Sequence, residues 1–231
     1  MVEQHKQPGL LADFILGSQD GLVNVLGVIL GVAIASNDFT IILAGGLAAT
    51  FAESISMGAV AYTTTLARRD HYLAERDRER REMRDVPEQE KAEIRQILTR
   101  WGFEGEEMES MKDRIVAKPN AMLEIMMSYE LHLEPVPENQ ARKSALLVGS
   151  AAIVGSLIPL VPFVLMQHEI LTGIVTSIVI SAIILYVIGW YKAKVTVGRP
   201  GKSGLQMALI GTASALAGFA IAYFVGGGAG V

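Results

Sequence analysis

The sequence predicts an all-α membrane protein, with five transmembrane helices and a polar helical insert between the second and third. Two observations carry this reading. Of the 231 residues 51% are hydrophobic and only 19% charged, with a mean hydropathy of +0.36, a balance foreign to an ordinary soluble domain. The charge is also segregated: 33 of the 44 charged side chains, 18 acidic and 15 basic, fall between Arg68 and Lys143. The chain thus divides into an N-terminal segment with spans 1 and 2 (1–67), the insert (68–143) and spans 3 to 5 (144–231). There is no cysteine, which excludes a disulfide framework, a thiolate metal site and a cysteine nucleophile. A net charge of −4 offers no footing for nucleic acid.

Crossing the hydrocarbon of a bilayer takes about 20 mainly apolar residues. Five stretches reach that length: 14–35, 39–66, 144–166, 170–191 and 205–225. The first opens with Ser18, Gln19 and Asp20 and has no small-residue cleavage site, so it reads as a span and not as a removed signal. Gly27 and Gly31 form a small-xxx-small pair that lets two helix backbones approach closely, within one chain or between two copies. Pro159 and Pro162 predict a kink, or freed backbone carbonyls, in the third span. Lys and Arg are absent from the connections 36–40 and 167–169. They gather instead at Lys192, Lys194, Arg199 and Lys202, and at Arg68, Arg69, Arg142 and Lys143. Short cytoplasmic connections retain positive charge, so the N-terminus and the insert are expected inside and the C-terminus outside. An odd number of spans argues against an inverted repeat within one chain, and a transport path would then draw on a second copy.

Within the insert, one helix continues from span 2 through Glu75, Glu79, Glu82 and Met83. Pro87 suits the first turn of a second helix, which runs to Trp101 and Gly102. Two shorter helices follow, over 106–117 and 121–133, ahead of Pro135 and Pro137. Glu75, Glu79 and Glu82 recur at i, i+4 and i+7 on one helix face, and Glu90 and Glu93 at i, i+3 on the next. Antiparallel packing would gather these carboxylates, and Met126, Met127 and Glu130 add two thioethers and another carboxylate. Carboxylate plus thioether, without cysteine, suits a divalent ion such as Fe(II) or Mn(II). The same pattern also fits a solvated Glu/Arg face and methionines packed in a core. His71 and His132 read as surface or core residues.

Two carboxylates fall within apolar spans, Asp20 in the first and Glu53 in the second. An uncompensated charge there costs a few kcal/mol on insertion scales, so each should face a cavity, be protonated or find a partner. A helix cap for Asp20 and a structural hydrogen bond for Glu53 are the bland alternatives. A carboxylate that exchanges a proton for a cation accounts for both position and cost, and Asn24 and Met57 could complete such a path.

The run Asp20-Gly21-Leu22-Val23-Asn24 with Gly27 and Gly31, then Ser56-Met57-Gly58-Ala59 and the Arg68-Arg69-Asp70 exit, resembles the vacuolar iron transporter family. So do the Glu-rich insert, Met126-Met127 with Glu130, and Leu157-Ile158-Pro159-Leu160, in order over nearly the whole chain. The resemblance implies a five-span homodimer in the lipid bilayer that exchanges ferrous iron, and often manganese, for protons. It also implies a cytoplasmic three-helix metal-binding insert. Its ligands, carried over by motif, would be Glu79, Glu82, Glu90, Glu93, Met126, Met127 and Glu130; Glu75 rests on the helix-face argument alone. Asp20 and Met57 match the family's path residues at the dimer interface. Where many members carry a Glu-Tyr pair this chain has Ala61-Tyr62, and Glu53 lies on the other side of Met57.

The expected function is therefore export of Fe(II) from the cytoplasm in exchange for protons, with Fe(2+) or Mn(2+) as transported and bound ions and no prosthetic group. Its alternatives are a manganese exporter and a membrane-anchored metal-sensing or scaffold protein. No nucleophile–base set, phosphate loop or di-iron Glu-x-x-His pair is legible, so an enzyme is not expected. A prokaryotic cell membrane is the expected location.

Overall fold

The computed structural model describes residues 8–167 and 169–225, which are helical with no strand among them. The two chain ends, assigned above to opposite sides of a membrane, lie outside the described residues. Five helices are long and apolar enough to cross a bilayer: Gly9–Ser36, Phe39–Asp85, Gln140–Leu165, Ile170–Val195 and Pro200–Phe224. The chain separates into two compact units, residues 63–140 and the described parts of 1–62 with 141–231.

In the second of these units, α1 (Pro8–Ser36) supplies the centre of the core. Leu22, Val25, Leu26, Ile29 and Leu30 are fully buried, at the helical spacing that lines one wide face. Asn37 adopts a left-handed conformation (φ 48°) and its N–H donates to Ala33 O, closing α1. Asp38 then caps α2 (Phe39–Asp85) by accepting from Ile41 N–H at 3.0 Å, which makes this two-residue turn possible. The buried hydroxyls of Thr50 and Ser54 bond back to Gly46 O and Thr50 O. Gly27 and Gly31 face Ala215 and Ala222 of α9 (Pro200–Val225); the close approach they permit is made within one chain.

The third span breaks at its prolines. The helix α6 (Gln140–Leu157) gives way to a 3-10 turn at Ile158–Leu160 and a short α7 (Val161–Leu165). Pro159 and Pro162 cannot donate, and Ser177 of α8 (Ile170–Val195) donates to Pro159 O at 2.6 Å. Two contacts tie α6 to its neighbours backbone to backbone. A Cβ on Gly149 would stand 3.2 Å from Ser54 O and 3.7 Å from the Gly58 Cα, and one on Gly155 would collide with Ser18 O.

The other unit takes the polar end of α2, then α3 (Pro87–Arg100), α4 (Gly105–Val116) and α5 (Pro119–Ile125). Pro87 and Pro119 each sit in a first turn, where the missing N–H has no partner to lose. Its core is small: Ile94, Ile97, Leu98, Met122 and Met126, with Met83, Met108 and Met111 packed around. The expected helix over 121–133 stops earlier. It begins at Pro119 and passes at Met126–Glu130 into a π-helical turn, with Leu131 N–H donating to Met126 O. His132 then takes φ 54°, which ends the helix.

Candidate functional site

The insert gathers carboxylates from three elements. Glu79 of α2 and Glu90 of α3 are 3% and 2% exposed, and Glu130 projects from the π-helical turn. Glu79 Oε1, Glu90 Oε2 and Glu130 Oε2 are buried without a hydrogen-bond partner. Burial first, then a hydrogen bond to Glu79 and the charges of Glu79, Glu93 and Glu130, push the Glu90 carboxyl up to about 8. At neutral pH it is therefore the protonated partner, donating to Glu79. Burial likewise raises Glu79, against the effect of the hydrogen bond from Glu90. Glu130 is raised to about 7, by burial and then by Glu93, Glu79 and Glu82, with Arg100 opposing. Five acidic groups thus repel one another in a partly desolvated space, a condition that protons relieve at present and a cation would relieve better.

The structure brings Glu79, Glu82, Glu90, Glu93 and Glu130 into mutual electrostatic reach. Glu82 is also paired with Arg78 at 3.3 Å, and Glu93 accepts from Gln89 Nε2 at 3.3 Å. Glu75 is drawn to Arg78 at 3.1 Å instead of to this group. Met126 and Met127 are both buried on the π-helical turn that carries Glu130, and Met126 belongs to the apolar cluster with Ile94 and Ile97. His71 and His132 are exposed. Among the described residues no three His, Asp or Glu side chains already stand in closed coordinating geometry; the insert carboxylates form an open cluster.

A second acidic site lies in the apolar unit. The Glu53 carboxyl of α2 faces Asp20 and Asn24 of α1 within side-chain hydrogen-bonding reach. Asp20 and Asn24, one turn apart, line a half-open cleft of about 280 Å³ together with Gln19 and with Ile210 and Ser214 of α9. Met57 follows Glu53 by one turn and is half-buried, whereas Ala61 is buried. Asn24 also borders an open groove of about 560 Å³ along Gly27, Val28 and Gly31.

Sequence reasoning missed Gln19, Ser214 and Asp13. Asp13 accepts from Ser144 Oγ at 2.6 Å, joining α1 to α6. Its spacing of seven from Asp20 puts both on one helix face, a signal that was available, but Asp13 falls one residue ahead of the predicted span.

Five apolar helices define an integral membrane protein, with acidic side chains at Asp20 and Glu53 in its apolar unit and a second acidic group in residues 63–140. A profile described as the VIT family matches residues 11–223. The chain is 34% identical over 224 residues to "Vacuolar iron transporter 1" of Arabidopsis thaliana, covering 96% of this chain and 89% of that one. It is 27% identical over 220 residues to "Protein CCC1" of Saccharomyces cerevisiae, with 92% and 68% covered. To the "Vacuolar iron transporter" of Plasmodium falciparum it is 29% identical over 209 residues, with 87% and 77% covered. The chain belongs to the VIT family.

Proposed function

We propose that this protein carries Fe(II) across its membrane, out of the cytoplasm, in exchange for protons. The observation that carries the reading is the set of insert carboxylates Glu79, Glu90 and Glu130, each with a buried oxygen that has no hydrogen-bond partner and could take a cation. Names of the relatives point to iron. In this reading Glu79, Glu82, Glu90, Glu93 and Glu130, with Met126 and Met127, collect the ion on the cytoplasmic side. Asp20, Glu53, Asn24 and Met57 pass it through the membrane at the interface of a homodimer. A carboxylate holds a proton or a metal ion but not easily both, so loading metal at Asp20 and Glu53 releases a proton that must travel the other way. Charges placed at this depth have no use in a mere anchor, which sets the scaffold alternative aside.

Manganese export is the second reading, favoured by one feature: Met126 packs among Ile94, Ile97 and Leu98, leaving a donor set richer in oxygen than in sulfur. Metal uptake into proteoliposomes under an imposed pH gradient, with iron and manganese compared side by side, tests both. Wild-type protein should move iron only with the gradient. Asp20→Asn should abolish transport while the folded protein and the metal affinity of the insert survive. Undiminished, proton-dependent iron transport by Asp20→Asn would move the coupling group elsewhere, with Glu53 next to be tested.

A further inference from the structure

The end of α8 and the start of α9 carry Lys192, Lys194, Arg199 and Lys202 within eleven residues, and no acidic residue occurs anywhere after Glu169. All four cations are exposed, and none makes an ion pair among the described residues. The two helix ends are held tightly together: a Cβ on Gly189 would stand 2.7 Å from Ser203 O, and one on Gly204 2.7 Å from Tyr186 O. Four positive charges are therefore concentrated where two apolar helices end. Trp190 and Tyr191 are 38% and 47% exposed beside them, and the Lys194 ammonium lies 4.8 Å from the Trp190 ring centre.

Helix stabilisation explains part of this arrangement, since Lys192 and Lys194 complement the negative end of the α8 dipole. It does not explain Lys202, whose charge in the first turn of α9 opposes the positive end of that dipole. Nor does it explain why four like charges are crowded with no counter-charge. Amphipathic aromatic rings at a helix end suit the interfacial zone of a bilayer, and clustered Lys and Arg at that level attract anionic headgroups. We propose that the α8–α9 turn is a binding site for the headgroup of an anionic phospholipid. The anionic headgroup is drawn by the combined charge of Lys192, Lys194, Arg199 and Lys202, and Trp190 and Tyr191 seat against the glycerol region. The site shares no residue with the acidic clusters that would carry metal, and it stands whether or not the transport reading does.

The test uses the full-length protein in nanodiscs of phosphatidylcholine, alone or mixed with phosphatidylglycerol, with thermal unfolding as the readout. Phosphatidylglycerol should raise the melting temperature of the wild type, and added salt should weaken the rise. Replacing all four cations by Gln should remove the increment without altering unfolding in phosphatidylcholine. Lys202→Gln alone should lower the affinity for phosphatidylglycerol about fivefold. The charge-keeping variant Lys192→Arg with Lys194→Arg and Lys202→Arg should retain the increment. Inorganic phosphate in phosphatidylcholine discs should have no effect. The proposal fails if phosphatidylglycerol does not stabilise the wild type, if the Gln variants keep the full increment, or if inorganic phosphate reproduces it.

Discussion

Replacing Glu90 by Gln should make the metal-free protein less sensitive to pH while weakening its hold on metal. Glu90 goes from an ordinary 4.5 in the unfolded chain to about 8 in the folded one. The folded state therefore binds its proton more tightly. That stability is fully present below the unfolded value and is lost as pH climbs toward 8. Each pH unit inside this window changes stability by about 1.4 kcal/mol, so moving from about pH 5.5 to 7.5 should cost the metal-free insert about 3 kcal/mol through Glu90 alone. Gln keeps the shape and the donor toward Glu79 but cannot ionise. The difference between variant and wild type should then shift in favour of Gln by about 3 kcal/mol over that interval, equivalent to about 10 to 20 °C in melting temperature for a unit of this size. Trp101 lies in the insert and Trp190 in the other unit, so Trp101 fluorescence in a Trp190→Phe background, with chelator present, reads the insert. Adding Fe(II) should stabilise the wild type more than the variant. Parallel pH curves for the two proteins would refute the account of Glu90 as a buried, proton-holding carboxyl.

Three further outcomes can be checked. Gly155→Ala should destabilise the apolar unit by about 1–3 kcal/mol, because the added methyl group meets Ser18 O; unfolding of the detergent-solubilised protein measures it. A cysteine introduced at Asn24 or Val28, both exposed on α1, should cross-link to its twin if the chain works as a dimer joined along this helix, and cross-linking confined to α8 or α9 would dismiss that arrangement. Met57→Leu should reduce transport of iron more than that of manganese in proteoliposomes, since only the softer ion gains much from sulfur; equal losses would remove Met57 from the path.

The spans were legible because apolar runs of that length have few other uses, yet α1, α6, α8 and α9 each extend beyond the predicted run at one end or both. Helix continues where side chains turn polar, since hydropathy marks the bilayer and not the hydrogen-bonded helix. The breaks at Pro87 and Pro159 were equally readable, because a missing N–H is a local property. The π-helical turn at Met126–Glu130 was not, because α and π windings differ by one residue of register and leave the same pattern in the chain. Spacing put Glu75 on one face with Glu79 and Glu82, but Arg78, one turn away, draws it off. Spacing also could not say which carboxylates lose water; that depends on the packing of the α3 face that carries Glu90 together with Ile94, Ile97 and Leu98. The pairing of Glu53 with Asp20 across two helices was likewise beyond any single-helix pattern.

The backbone contact of α2 with α6 at Gly58 and Gly149 has a consequence for how such a chain can change over time. Gly58 precedes the departure of the chain into the insert by a few residues, and Ala145, whose carbonyl lies 3.2 Å from a Cβ built on Gly58, follows its return by a few. The polypeptide thus leaves and re-enters the apolar unit at neighbouring points, the geometry in which one domain can be grafted into another without refolding its host. Residues 63–140 keep a hydrophobic core of their own, and the two helices that bracket them are joined by their own glycines. The acidic module can therefore be lengthened or retuned in its donors while the part of α2 before residue 63, which houses Glu53, and α1, which houses Asp20, stay as they are.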